Sequence, residues 1–332
     1  MKKRMVQVLS LVLCIVLLCA GCGKEPKQEG DATTKAPVTT TKAPTTTITP
    51  TTTSQSEELT TLLVNCPDGK TVSSELIGRL RGICRKYEGQ VSIYYKDLTV
   101  GYSIEYCADE AYQAASVIKA PYVKYLLASG VDLDQKLTMK SLQGGDGYIK
   151  DQPIGTEFTV GQLMEYAIRY SDNTAYYMLN QEFGFKEFNQ YAKQLGIRAN
   201  AENNCTLGLP TPRFGYLSAR DVGLYFEDIA RYIEKGGERA EKLEKWLTST
   251  TADKQLVAAF KGVYTVAHKY GLQPNPGNTY SQAYHDGGIV YATKPYVLAI
   301  TTRLEPDTEE SNKFFADVAR TIDGIHAELH RG

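Results

Sequence analysis

The pattern that most limits the fold is the placement of strand-like segments at both ends of the chain, with a long helical stretch between them. Val91 to Tyr95 and Val100 to Tyr106 alternate as strands around a turn near Lys96 and Asp97. Before them, Leu76, Ile77, Leu80, Ile83, Cys84 and Tyr87 recur at helical spacing behind Ser73 and Ser74, which can cap that helix. From Ser116 to about Gly236 helical patterns dominate, for example Val160 to Arg169 and Ala219 to Ile233. Strand patterns return after Trp246, at Val263 to Lys269, Gly288 to Ala292 and Tyr296 to Thr302. A last helix then places Phe314, Val318, Ile322, Ile325 and Leu329 on one face. A sheet assembled from both ends, with a helical part inserted over about 116–236, predicts a mixed α/β (α+β) class for residues 58–332.

The first 57 residues do not belong to that pattern. Lys2, Lys3 and Arg4 precede an apolar run from Val6 to Leu18, which ends at Cys19-Ala20-Gly21-Cys22. A basic start, a short apolar core and small residues before a cysteine predict an exported chain over 1–22. The run is short for a bilayer span. More than half of the residues from Thr33 to Thr53 are threonine, broken by Pro37, Pro44 and Pro50. Such a stretch cannot bury enough apolar surface to offset its ordering entropy, so 23–57 is expected to act as a tether reaching roughly 30 Å.

Charge narrows the partners. The 37 basic and 38 acidic residues leave a formal net charge of -1, which offers no electrostatic footprint for nucleic acid. A small-molecule substrate is the expected partner, and the chain is expected to be a monomer. Beyond Cys22, the cysteines Cys66, Cys84, Cys107 and Cys205 have no zinc-site spacing, and their pairing is open among three connectivities. His326 and His330 stand four apart, but Ala327 occupies the place of the glutamate in H-E-x-x-H, so they read as a late helix face. No metal and no cofactor is expected.

Three short motifs occur in order: Ser116-Val117-Ile118-Lys119, Ser171-Asp172-Asn173 and Lys269-Tyr270-Gly271. The first alone would arise by chance about once in a chain of this composition. The conjunction is more specific, because the first opens a helix after a strand pair, the second lies in the helical part and the third ends a strand. A serine hydroxyl needs a neighbour to take its proton, and Lys119 lies one helical turn along on the same face as Ser116. A desolvated lysine near a second cation loses basicity toward neutrality, and Lys269 is expected to supply that cation.

This set resembles the S-x-x-K, S-D-N and K-T-G motifs of class A β-lactamases and penicillin-binding proteins, over about residues 60–330. The resemblance implies a five-stranded antiparallel sheet flanked by helices with a helical subdomain. It implies Ser116 as nucleophile, Lys119 as acylation base, Ser171 as proton relay to the leaving nitrogen and Asn173 as a holder of substrate and Lys119. It further implies that Lys269 stabilises Ser171 and a substrate carboxylate, that Tyr270 and Gly271 contact substrate, and that the N–H groups of Ser116 and Leu272 form the oxyanion hole. The start of the chain resembles a bacterial lipoprotein signal, with Leu18 displaced from its usual place. That resemblance implies lipidation at Cys22 and an extracytoplasmic, membrane-anchored enzyme acting on β-lactams or peptidoglycan-peptide-like substrates.

Two departures bear on substrate. Tyr270 replaces the family's threonine or serine, and Glu202 is the one acid near the place of the deacylating glutamate, without the neighbouring leucine and asparagine of E-x-x-L-N. Glu202 is therefore either the base for deacylation or a solvated loop carboxylate. His285 and Asp286, near where many relatives carry a carboxylate-binding arginine, read as a polar strand end, with a role at the site as the alternative. A D,D-peptidase or esterase, or a non-catalytic penicillin-binding lipoprotein, are the alternatives to a β-lactamase.

Overall fold

The structure, a computed structural model, describes residues 62–145, 147–198, 215–274, 277 and 282–331. The anchor cysteine Cys22, the tether, Glu202 and Cys205 lie outside the described residues. The strands from the two ends do meet. Strands β1 (Leu62–Asn65), β2 (Val91–Asp97), β3 (Ser103–Tyr106), β8 (Val266–Gln273), β9 (Ala283–Val290) and β10 (Tyr296–Thr302) form one antiparallel sheet in the order β1-β3-β2-β10-β9-β8. The sheet has six strands rather than the expected five. The additional strand, β1, is an edge with one buried residue, Leu62, so it carries no alternation a sequence reading could detect.

Alternation along the central strands sends side chains to two separate cores. Tyr94, Val297 and Ala299 face the helical part, whereas Ile93, Tyr95, Leu298 and Ile300 face the terminal helices. On that second side lie α1 (Ser74–Arg85) and α9 (Glu309–Leu329). The five apolar residues expected on one face of α9 are all buried there. Ser73 caps differently from expectation: its N–H and hydroxyl both donate to the Glu328 carboxylate, at 2.7 and 2.9 Å, so it ties α1 to α9 instead of closing its own helix.

The first side holds α2 (Lys119–Ala128), α3 (Val160–Arg169), α4 (Asn173–Phe183), α5 (Lys186–Gln194), α6 (Ala219–Glu234) and α7 (Glu238–Thr248). The helical part thus runs past Gly236 to Thr248. It also contains the short strand pairs β4 (Ala111–Gln113) with β7 (Tyr216–Ser218) and β5 (Lys136–Thr138) with β6 (Glu157–Thr159), too short to show periodicity. Helices α3 and α6 start where the sequence places them because Thr159 with Gln162, and Ser218 with Asp221, form reciprocal capping boxes. Helix α8 (Gln255–Phe260) leads into β8. Strands β8 and β9 begin three and five residues from their expected starts, respectively. No helix among the described residues is long and apolar enough to cross a membrane.

Candidate active site

Ser116 sits in a single 3₁₀ turn, Ala115–Ile118, that leads directly into α2. Ala115, the residue before it, has φ 46°, and Ser171 has φ 54°. Two non-glycine residues held in the left-handed region mark segments that their surroundings force into place. The edge strand β8 runs against the 3₁₀ turn so closely that a Cβ on Gly271 would lie 3.0 Å from the Ala114 carbonyl oxygen and 3.2 Å from the Val117 nitrogen. Glycine is required there for contact, and the contact brings Lys269, Tyr270 and Leu272 to the serine. Leu272 is 37 % exposed at the mouth of this seam.

The Lys119 side chain is fully buried. Its ammonium donates to the Ser171 carbonyl at 2.5 Å and to Asn173 Oδ1 at 2.7 Å, with the Ser171 hydroxyl at 3.4 Å. Burial pushes it down to about 7, against an opposing pull from Asp172. Lys269 is also fully buried, donates to the Tyr270 carbonyl at 3.0 Å and lies 3.7 Å from the centroid of the Tyr270 ring. Burial holds it well below the ordinary lysine value, repulsion from Lys119 adds to that, and Asp286 opposes it. Desolvation is the leading cause at both lysines, and the mutual repulsion of the two buried ammonium groups works in the same direction.

The second motif is clamped by the 141–149 loop. Asp172 accepts from Ala175 N, which caps α4, and from Ile149 N. Gln143 N donates to the Thr174 hydroxyl, and Asn173 Nδ2 donates to the Gly144 carbonyl, so the Asn173 amide is turned with its oxygen toward Lys119. On the rim, the half-exposed Tyr148 stacks on Tyr170 and packs on Tyr166, with centroids at 4.8 and 4.5 Å. Tyr176, by contrast, is core.

The supporting layer is where sequence reading went wrong. His285 and Asp286 are buried in the middle of β9 and do not form a polar strand end. His285 Nε2 donates to the Gln113 carbonyl at 2.7 Å, and its Nδ1 accepts the Thr302 N–H at 2.9 Å. That pairing requires the neutral ring, which burial enforces by pushing it down to about 4. The imidazole thereby fixes the segment two residues before Ala115. Asp286 meets His268 Nδ1 at 2.9 and 3.0 Å and accepts the Leu256 N–H, while the Thr250 hydroxyl pairs with His268 Nε2 at 2.5 Å. This network braces the strand that carries Lys269. None of these partners is adjacent in sequence, so no motif could announce them. Among the described residues, Cys66 and Cys84 stand outside any disulfide.

A serine one turn ahead of a buried, weakly basic lysine, with a second serine, an amide and a second lysine around them on an antiparallel sheet, defines a penicillin-recognising serine hydrolase. The chain belongs to the Beta-lactamase enzyme family, whose sequence model matches residues 75–325. It is 26% identical over 272 residues to a β-lactamase of Mycobacterium tuberculosis, covering 76% of this chain and 87% of that one. Among solved structures, a mutant of PBP-A in an acyl-enzyme complex with penicillin G matches with a TM-score of 0.64 at 21% identity, over 76% of this chain and 96% of that one. A β-lactamase from Chitinophaga pinensis matches with a TM-score of 0.65 at 19% identity, over 75% and 98% of the two chains. At these identities the solved structures speak for the fold.

Proposed function

We propose that this hydrolase opens β-lactam rings through an acyl-enzyme on Ser116. The observation that carries the reading is Lys119, a fully buried amine one helical turn from Ser116 that meets the uncharged oxygens of Ser171 and Asn173: burial lowers it to about 7, and its neutral form can accept the serine proton. Ser116 Oγ then attacks the lactam carbonyl carbon, and the oxyanion is received by the N–H groups of Ser116 and Leu272, each worth about 3 kcal/mol of barrier. The C–N bond breaks as Ser171, next to Lys119, passes a proton to the nitrogen. Asn173 orients Lys119 and substrate, and Lys269 supports Ser171 and attracts an anionic substrate past Tyr270 and Gly271. Glu202 is assigned the activation of the water that hydrolyses the ester. Export, lipidation at Cys22 and a tether over 23–57 would place a monomeric enzyme outside the cytoplasm, on the membrane.

Intact-mass spectrometry of the full chain mixed with penicillin G tests this. The expected result is an adduct of one penicillin that forms and disappears in the wild type, never forms in Ser116→Ala and persists in Glu202→Gln. No adduct in the wild type would sink the reading.

A further inference from the structure

We propose that Asp97, His326 and His330 form a divalent transition-metal site, best suited to Zn2+, that clasps the end of α9 to the end of β2 and shares no residue with the catalytic machinery. Asp97 is the last residue of β2, and one of its carboxylate oxygens is already committed. Oδ1 accepts the N–H groups of Thr99, Val100 and Gly101 and the Thr99 hydroxyl, at 2.5–3.2 Å, which locks the turn and aims Oδ2 away from it. Oδ2 points at the last turn of α9, where His330 Nε2 stands 2.7 Å away and His326 Nδ1 3.7 Å away. One atom from each of the three residues lies within 4.8 Å of the other two. In a tetrahedral site with bonds of about 2.0–2.1 Å, ligand atoms are separated by about 3.3 Å. The separations of the two imidazole nitrogens from Asp97 Oδ2 bracket that figure, so small side-chain shifts would bring the carboxylate and both rings to one ion.

The surroundings have the features of a ligand shell. A hydrogen bond to the Lys294 backbone holds the far side of the His326 ring, while the Tyr95 hydroxyl pairs with Nδ1 at 2.7 Å and must turn away from that nitrogen when an ion takes it. A backbone carbonyl on the far nitrogen is the usual way a metal-ligating imidazole is oriented. The rings of Tyr296 and Tyr95 wall His326, and Tyr102 packs on His330 at 5.5 Å. Asp97 and His326 are buried, but the His330 side chain is 17% exposed, which leaves a route for an ion and a position for a water as fourth ligand. Two imidazoles, a carboxylate and a water suit zinc better than magnesium or calcium, which take oxygen donors. The other two histidines cannot compete: His268 and His285 are both fully enclosed.

The test is calorimetric titration of the EDTA-stripped full chain with zinc chloride, with cobalt chloride followed by visible absorption as a second probe. The expected result is one tightly bound ion, a cobalt spectrum of a nitrogen- and oxygen-ligated tetrahedral site and a higher unfolding temperature with zinc. In His330→Gln, affinity should fall by more than about 100-fold, with the near-ultraviolet circular dichroism unchanged. An unchanged near-ultraviolet signal separates lost ligation from lost fold. Undiminished binding in His330→Gln would place the metal on other residues and overturn the proposal. The absence of saturable binding in the wild type would mean a metal-free hydrogen-bonded clasp and would overturn it equally.

Discussion

Lys119 and Lys124 stand on the same helix, both buried, and have opposite characters. Lys124 is closed against Asp228 in a direct ion pair, with the Tyr191 hydroxyl at 3.2 Å and the Tyr191 ring beneath it. Lys119 meets the uncharged oxygens of Ser171 and Asn173, and burial lowers it to about 7. The difference teaches that burial by itself does not prepare a base. What surrounds the ammonium, a carboxylate at Lys124 and uncharged oxygens at Lys119, decides whether it can serve as one.

The comparison can be broken most sharply by deleting each ammonium. Lys119→Met is expected to slow acylation by penicillin about 10²- to 10⁴-fold, the usual contribution of a positioned base, with little change in unfolding midpoint. Lys124→Met should leave acylation within a few-fold of wild type but cost on the order of 1–3 kcal/mol of stability, because it leaves the largely buried Asp228 with only the Tyr191 hydroxyl and the more distant Arg231 as partners. Stopped-flow acylation and urea unfolding of both variants measure this, and equal kinetic losses would erase the distinction.

A smaller perturbation would turn one environment into the other. The neutral form of Lys119 is the active one, so acylation should rise with pH through about 7 in the wild type. Asn173→Asp puts a carboxylate where an amide oxygen now lies 2.7 Å from the ammonium, favouring the charged form. The limb should then move upward by roughly one to three pH units, and the rate at neutral pH should fall roughly tenfold or more. An unmoved pH profile would mean that another group sets it.

The smallest effect is expected at Lys269, the third buried ammonium, whose near neighbour is the face of Tyr270. Tyr270→Thr removes a cation–π contact worth about 0.5–2 kcal/mol and uncovers the charge. KM for a carboxylate-bearing penicillin should drop by roughly 2- to 30-fold with kcat little altered, as steady-state kinetics would show. A rise in KM would mean that the ring holds substrate instead of screening the lysine.

Much of this arrangement was legible beforehand because local spacing encodes it. Ser116 and Lys119 share a helical face by being one turn apart, and the capping pairs Thr159/Gln162 and Ser218/Asp221 start their helices within a few residues of sequence. The α9 face and the two-ended sheet follow from apolar periodicity. What escaped was nonlocal. The strand β1 is an edge without alternation, Ser73 turned to a glutamate at the far end of the chain, and His285 looks polar in sequence but is buried between Gln113 and Thr302.

The sequence by itself therefore determined the order of the chemical groups and the elements that carry them, since hydrogen-bonded turns and apolar periodicity depend on neighbours a few residues apart. Only the tertiary structure decided how strongly each group holds its proton and which histidines meet which carboxylates. Desolvation and Coulomb interactions depend on distance in space, and the segments that enclose Lys119, Lys269 and Asp97 come from parts of the chain far apart in sequence.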